Sequence, residues 1–507
     1  MFLYHDMPNK LPVRLFNIKS METVIHHDFP KSVFESGYAA VSHVWGEQTL
    51  HNPDDLDVKN GVNWKVPLSD TRKMDMLKNA MKKFKMEWCW WDVLCMPQDK
   101  QDEINKEIPH MGDYYNGAKM TLVLSDKEES DENTFTTGLA RGFATITKHT
   151  SVVLQVLWLE LQEEPWLERL WTFQEAVMSK QIWLITLRGT YLDVSDVMKR
   201  MASSSETFGN RDEVRPVVNL ARAIRDYNNH KTSVGRMLYE CRNRECYKPE
   251  DKFYGTLGVL GYTNFPVTYG IDMRDLMKTF MEHAYYNGDV SWLAVHVNGE
   301  TGFIPSHENL EYIGELWREE IPGSCNVKFT EDTLFINACM VADVTHTQEI
   351  VNGNRKLYDT YEKWGFSDSD ATRCIIGYCK LSDEEVREFK WFREVHKDNM
   401  VSLATMKGIG SFVVGGNTGK LFAKHLQYSD TNWKKASKVV CIKTGKCVLI
   451  IVCGECDIGD RIMLLPMHDS HERMLGIVVD DKFRRKGICL YPRLDMHYEY
   501  TPQEFPL

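Results

Sequence analysis

Two short segments of this chain concentrate indole rings and carboxylates. The first is Trp88-Cys89-Trp90-Trp91-Asp92-Val93-Leu94-Cys95-Met96-Pro97-Gln98, and the second is Trp166-Leu167-Glu168-Arg169-Leu170-Trp171-Thr172-Phe173-Gln174-Glu175. A carboxylate set among aromatic rings loses hydration, which retunes its protonation, and an aromatic wall offers a face to a planar cationic or heteroaromatic ligand. Glu175 is therefore the first candidate for a catalytic centre. Its ordinary alternative is a surface acid near a helix N-terminus, favoured there by the macrodipole. Asp92, at a strand's carboxyl end, reads either as a site acid that binds a ligand or orients loop backbone, or as a loop-capping aspartate. Cys95 has no legible triad partner and is not favoured as a nucleophile.

The elements around these segments alternate. Tyr38 to Gly46 is a short apolar run ending at glycine, as a buried strand entering a site loop does. Ser69, Asp70 and Thr71 can cap a helix in which Met74, Leu77, Ala80, Met81 and Phe84 recur at helical spacing. A second strand follows over 88–94, a second helix over 103–115 and a third strand over 119–125. After a polar, acidic insertion at 126–164, the rhythm resumes with a helix over 166–178 and a strand over 181–186. Strand, helix, strand is the signature of a parallel sheet with helices on its faces. Ligands of such sheets bind beyond the carboxyl ends of the strands, here near Ser42, Asp92 and Ser125.

At 507 residues the chain is too long for one core. The expected organisation is an α/β domain over 1–195, a helical region over 196–290 packed on it, and a β-rich C-terminal module over 291–507, where short β-prone runs such as 412–414, 438–442, 447–453 and 474–479 dominate. Apolar residues at 43 % and charged residues at 26 % place it among ordinary globular chains. A formal charge of −11 provides no global basic field, so no nucleic-acid partner is expected. No window approaches the roughly 18 uninterrupted apolar residues of a membrane span, and no secretory signal is read at the N-terminus. The 13 scattered cysteines favour reduced thiols and a cytoplasmic location. Cys441, Cys447, Cys453 and Cys456 contain only one C-x-x-C pair and read as strand thiols rather than a metal site. Gly415 to Leu421 lacks the spacing of a phosphate loop and reads as a hairpin turn.

Four blocks resemble the fungal heterokaryon-incompatibility (HET) domain proteins. They are Tyr38-Ala-Ala-Val-Ser-His-Val-Trp45-Gly46, then Trp91-Asp92-Val-Leu94-Cys95-Met-Pro-Gln98 with Met111 and Tyr114 to Ala118 downstream, then Arg169-Leu-Trp171-Thr-Phe-Gln174-Glu175. The fourth is Arg244-Glu-Cys246 through Asp251, Tyr254 and Gly258. The chain departs from the family at Met96-Pro97, where an Ile-Asn pair is usual, and in the long insertion before Trp166. HET domains in turn resemble TIR domains, whose catalytic glutamate follows a Trp-x-x-x-Glu spacing that Trp171 and Glu175 keep.

That resemblance implies a TIR-like parallel sheet and a TIR-like NAD⁺ glycohydrolase releasing nicotinamide and ADP-ribose, with NAD⁺ as substrate and no further cofactor or metal. It implies a role in self/non-self recognition and programmed cell death, with a protein partner or self-assembly for activation. Glu175 would be catalytic; Ser42, His43, Trp45, Gly46, Asp92, Gln98 and Trp171 would bind the substrate. Two other readings stay open: a non-enzymatic assembly module on the same fold, and a site that binds a nucleotide signal without turnover.

Overall fold

The computed structural model describes residues 11–45, 49–126, 161, 164–187, 189–198, 215–230, 232–242, 244–297, 310–312, 325–330, 333–349, 433–441, 447–468, 473–492 and 501–506. The chain divides into two compact units: Met1–Thr232 with Asn243–Asp272, and Ser233–Arg242 with Met273–Leu507. The stretch expected as one helical region is shared between them. Helices Arg215–Asn228, Asp251–Tyr254 and Leu257–Leu260 fall in the first unit, and Val234–Cys241 and Met273–Tyr286 in the second.

The first unit is built on a seven-stranded mixed sheet. Its strands are β1 (Arg14–Asn17), β2 (Glu22–Ile25), β3 (Ala39–His43), β6 (Trp88–Trp91), β7 (Met120–Leu124), β8 (Ile182–Ile185) and β9 (Tyr191–Asp193); β4 (Thr49–His51) and β5 (Val66–Leu68) form a separate hairpin. The order is β2-β1-β6-β3-β7-β8-β9. Pairings β6–β3, β3–β7 and β7–β8 are parallel, while β1, β2 and β9 add antiparallel edges. Every residue of β3 and β6 is buried, as expected of central parallel strands covered on both faces. The expected strands at 39–42, 89–92 and 121–124 are thus paired in parallel. The edge strands β1, β2 and β9 had no sequence signal, because three or four residues are too few to display alternation.

Helices of this unit include α1 (Lys31–Ser36), α2 (Arg72–Lys83), α3 (Asp92–Cys95), α4 (Gln101–Glu107), α5 (Met111–Gly117) and α6 (Leu170–Met178). Asp70 starts α2 by accepting the Arg72 amide at 2.8 Å, and the helix buries Met74, Leu77, Ala80 and Met81 as its spacing requires. The single helix expected over 103–115 is broken into α4 and α5 by a 3-10 turn over Ile108–His110, since Pro109 has no amide hydrogen for the helical ladder. Residue 92 belongs to α3 rather than to the preceding strand. The bulk of the insertion at 126–164 lies outside the described residues, as do 412–421.

The second unit carries an antiparallel ladder that closes on itself. Strand β10 (Thr333–Glu349) pairs with both β11 (Trp433–Cys441) and β13 (Arg461–His468), and β12 (Cys447–Gly454), β15 (Arg485–Pro492) and β14 (Arg473–Val479) complete the ring. Val341, Val344, Ile450, Val452, Ile462, Leu464 and Val478 fill its interior. The C-terminal region is accordingly β-rich. Among the described residues no helix is long and apolar enough to cross a membrane.

Candidate active site

The chain runs from β3 to β6 on one side and afterwards to β7 on the other, so β3 is where strand connections leave in opposite directions. Such a switch point opens a crevice at the carboxyl end of the strand. Ser42 and His43 stand there.

Ser42 is buried, and its hydroxyl donates to Glu175 Oε2 while accepting from Trp166 Nε1 at 2.6 Å. Glu175, in the second turn of α6, is only 7 % exposed, so it is not a surface acid at a helix end. The Tyr115 hydroxyl of α5 donates to the Val41 carbonyl at 3.2 Å, and it also bears on the Glu175 carboxyl. Among the described residues no cation pairs with Glu175. Burial pushes its carboxyl up to about 8; the Ser42 and Tyr115 hydroxyls oppose this, and the charge of Asp92 adds to it.

Successive strand side chains face opposite ways, so His43 diverges from Ser42. Its ring meets Trp91 edge-on, and Trp91 Nε1 donates to His43 Nδ1 at 2.8 Å. Nδ1 is therefore an acceptor and the ring hydrogen sits on Nε2. Burial first and the charge of Lys73 second hold the imidazole well below its usual range, so the ring is neutral. The 3.8 Å approach of Nδ1 to Asp92 Oδ1 is for that reason not an ion pair. Nε2 is buried and meets no partner among the described residues, which leaves a donor available to a ligand.

Trp45 lies parallel to His43, and its indole donates to Asp92 Oδ2 at 3.0 Å. Asp92 Oδ1 accepts the Val93 amide at 2.8 Å, and its side chain keeps 17 % exposure at the rim. Burial raises its carboxyl to about 6, against those two hydrogen bonds and the charge of Lys73. Gln98 spends both donors of its amide on the carbonyls of Asp92 and Met96, at 3.1 and 2.9 Å, so it clasps the α3 turn. Gly46 lies outside the described residues. Cys95 is buried beside Cys89, with its thiol pushed up to about 12 by burial, far from a nucleophilic thiolate.

Lys73 of α2 is a further buried charge. Its ammonium donates to the Val44 carbonyl at 2.9 Å, to Ser69 Oγ at 2.8 Å and to the Asp126 carboxylate at 2.9 Å. All three hydrogens are thereby used, tying the loops after β3, β5 and β7 together. Trp171 acts on a different acid, the Asp251 carboxyl, which accepts Tyr269 Oη at 2.8 Å. Ser42, Glu175, Trp166 and Tyr115 thus form one cluster, His43, Trp45, Trp91 and Asp92 another, and Asp92 acts electrostatically on Glu175 and Tyr115 as well. Two buried acids at an indole-lined crevice, with the charge of Asp92 felt at Glu175, are equipped to hold a cation. Among the described residues no group of three His, Cys, Asp or Glu could hold a metal ion, and of the expected cysteine group only the Cys456 side chain is described, buried in the second unit.

Residues 38–175 match the family model described as heterokaryon incompatibility protein (HET). The chain carries a HET domain. The match points to a role in heterokaryon incompatibility. No curated protein and no solved structure matches the chain.

The HET domain uses residues beyond the matched span. Arg244 donates to the carbonyls of Leu167 and Arg169 at 2.7 and 3.1 Å, and Glu245 exchanges backbone hydrogen bonds with Glu168 and Leu170. Gly258 donates its amide to Gln174 Oε1 at 2.8 Å, and its Cα approaches Gly112 so closely that a Cβ on either would meet the other's backbone at 2.6–2.7 Å. This segment therefore braces the helix that bears Glu175. Sequence reasoning assigned no role to Lys73, Tyr115 or Trp166 of the HET domain. Lys73 had a usable signal, since it precedes Leu77, Ala80 and Met81 on the apolar stripe of α2, where a lysine is out of place. Tyr115 had none, because a buried aromatic residue in sequence is indistinguishable from core, and Trp166 stood in the aromatic segment with nothing to separate it from core either.

Proposed function

We propose that this HET domain is a TIR-like NAD⁺ glycohydrolase acting in self/non-self recognition and programmed cell death, switched on by a protein partner or by self-assembly. The observation that carries the reading is Glu175: a carboxyl group buried at a strand-end crevice with no cation beside it among the described residues. Burying an acid this way costs several kcal/mol, and a group kept at that cost is more often functional than structural. What it lacks, a cationic ligand supplies. In NAD⁺ the bond between ribose C1′ and the nicotinamide nitrogen breaks with its electron pair leaving on the nitrogen, so the base departs neutral and needs no acid. The charge moves to an oxocarbenium-like ribose, which a carboxylate at Glu175 stabilises; water then adds at C1′ and loses a proton to solvent. Asp92 supplies a second acid at the rim, His43 Nε2 an unspent donor, and Trp45 a ring face.

Purified chain is incubated with NAD⁺, alone and under conditions that promote assembly, and nicotinamide is quantified by chromatography. Release supports the reading. Absence of release in both conditions favours the assembly module, and saturable NAD⁺ binding without release favours a nucleotide sensor.

A further inference from the structure

Asp92 is the more accessible of the two acids, with 17 % of its side chain exposed at the rim. Both of its oxygens meet neutral donors: Oδ1 accepts the Val93 amide at 2.8 Å, and Oδ2 accepts the Trp45 indole at 3.0 Å. Among the described residues no cation donates to it, since Lys73 gives its three hydrogens to Val44, Ser69 and Asp126. The group placed to close it from within is His43, whose Nδ1 stands 3.8 Å from Asp92 Oδ1.

What His43 does there is decided by its neighbour. In the parallel pairing of β3 with β6, Trp91 lies beside Val41. Residue 43 is two positions further along the strand and so faces the same side as Val41. The Trp91 indole meets it edge-on, with Nε1 2.8 Å from His43 Nδ1, and Trp91 is itself fully buried. An indole nitrogen has a hydrogen and no lone pair to offer, so Nδ1 has to be the acceptor. A hydrogen on Nδ1 would serve Asp92, but it would meet the Trp91 hydrogen head-on. The ring hydrogen is thereby confined to Nε2.

We propose that Trp91 is a positioning residue: by donating to His43 Nδ1 it confines the imidazole to the Nε2–H tautomer, denies Asp92 an internal donor and keeps that carboxylate for a cationic ligand. The ligand class rests on the glycohydrolase reading; the hold of Trp91 on His43 does not. An imidazolium, with hydrogens on both nitrogens, meets the same obstacle at Trp91. The charged groups that bear on the ring are Asp92 from α3 and Lys73 from α2, and the Lys73 charge also disfavours the imidazolium. Trp45 lies parallel to the ring, 6.3 Å away between centroids. Glu175 is held by Ser42, which leaves the opposite face of β3.

The test reads the tautomer in the ligand-free chain. In ¹⁵N spectra of the full chain labelled in histidine and tryptophan, the one imidazole lost in His43→Phe should carry its hydrogen on Nε2. Its Nδ1 should couple through the hydrogen bond to the Trp91 indole nitrogen. Asp92→Asn should leave that pattern in place, because Trp91 rather than Asp92 sets it. In Trp91→Phe the hydrogen should move to Nδ1, whereas a merely structural Trp91 would leave the tautomer unchanged. With NAD⁺, Trp91→Phe should raise KM about tenfold and hold kcat within about twofold, since binding is lost and the step at C1′ is untouched. In a His43→Phe background the same change should raise KM less than about twofold, because no imidazole remains to take Asp92. Should Trp91→Phe fail to fold, the wild-type and Asp92→Asn spectra decide alone. A hydrogen on Nδ1 in the wild type, a tautomer that follows Asp92 or stays unchanged in Trp91→Phe, or a KM rise that persists without the imidazole overturns the proposal. Absence of nicotinamide release overturns the glycohydrolase reading alone, because the spectra use no substrate.

Discussion

The two sides of the sheet's carboxyl end treat buried charge differently. On the His43 side, Lys73 is 0 % exposed yet spends its three hydrogens on Val44, Ser69 and Asp126, with Asp126 as counter-ion. On the Ser42 side, Glu175 is buried too and accepts a hydrogen bond from Ser42, but it has no counter-ion among the described residues. A satisfied charge fixes loops; an unsatisfied acid waits for something. The difference gives Lys73 a structural task and motivates the chemistry proposed for Glu175, and each reading can be broken.

The largest effect is expected at Lys73. Lys73→Met strips Asp126 of its partner and orphans the Val44 carbonyl, so stability should fall by about 3–5 kcal/mol in denaturant unfolding. A loss below about 1 kcal/mol would mean that the ammonium is not the tie between the loops. Next comes the activity of Glu175→Gln, which keeps shape but removes charge. Turnover of NAD⁺ should drop at least about 10²-fold, or ~2.7 kcal/mol, with the fold intact by circular dichroism. Wild-type turnover in that variant would leave a glycohydrolase whose catalytic residue is not Glu175.

Stability should move the other way. Glu175 ionises at about 8 in the folded chain against 4.5 as an ordinary carboxyl, so the folded chain binds the extra proton between those values. Its contribution is fully present below about pH 4.5, declines as pH rises through that window, and is gone above about pH 8; at pH 7 the decline is roughly 3 kcal/mol. Glu175→Gln should flatten this slope and gain a similar amount at neutral pH, leaving the smaller slope from Asp92 at lower pH. Parallel stability–pH curves for wild type and variant would remove the argument that Glu175 is an unsatisfied acid. The smallest effect belongs to the brace. Gly258→Ala must push against Gln174 and the Gly112 backbone, costing about 1–3 kcal/mol in thermal unfolding, and as a displacement of α6 it should lower turnover more than it lowers secondary structure.

The sequence by itself determined the parallel strands and their helices, because runs such as Trp88 to Trp91 and the apolar stripe of α2 carry their periodicity locally. It also located Glu175 and Asp92, since acids beside tryptophans are conspicuous in any order. It placed Trp171 in the same site by i, i+4 spacing from Glu175, but that spacing says nothing about Asp251, about 80 residues further on, the acid on which Trp171 acts instead. Only the tertiary structure decided that Ser42 and His43 serve opposite faces of one strand and that Tyr115 and Trp166 close around the glutamate. It also decided that residues 243–272 belong to the first unit, bracing α6, and that the strands of the second unit close into a ring. The physical reason is range: periodicity and capping act within a few residues, whereas desolvation and hydrogen-bond direction depend on groups that meet only when distant segments pack.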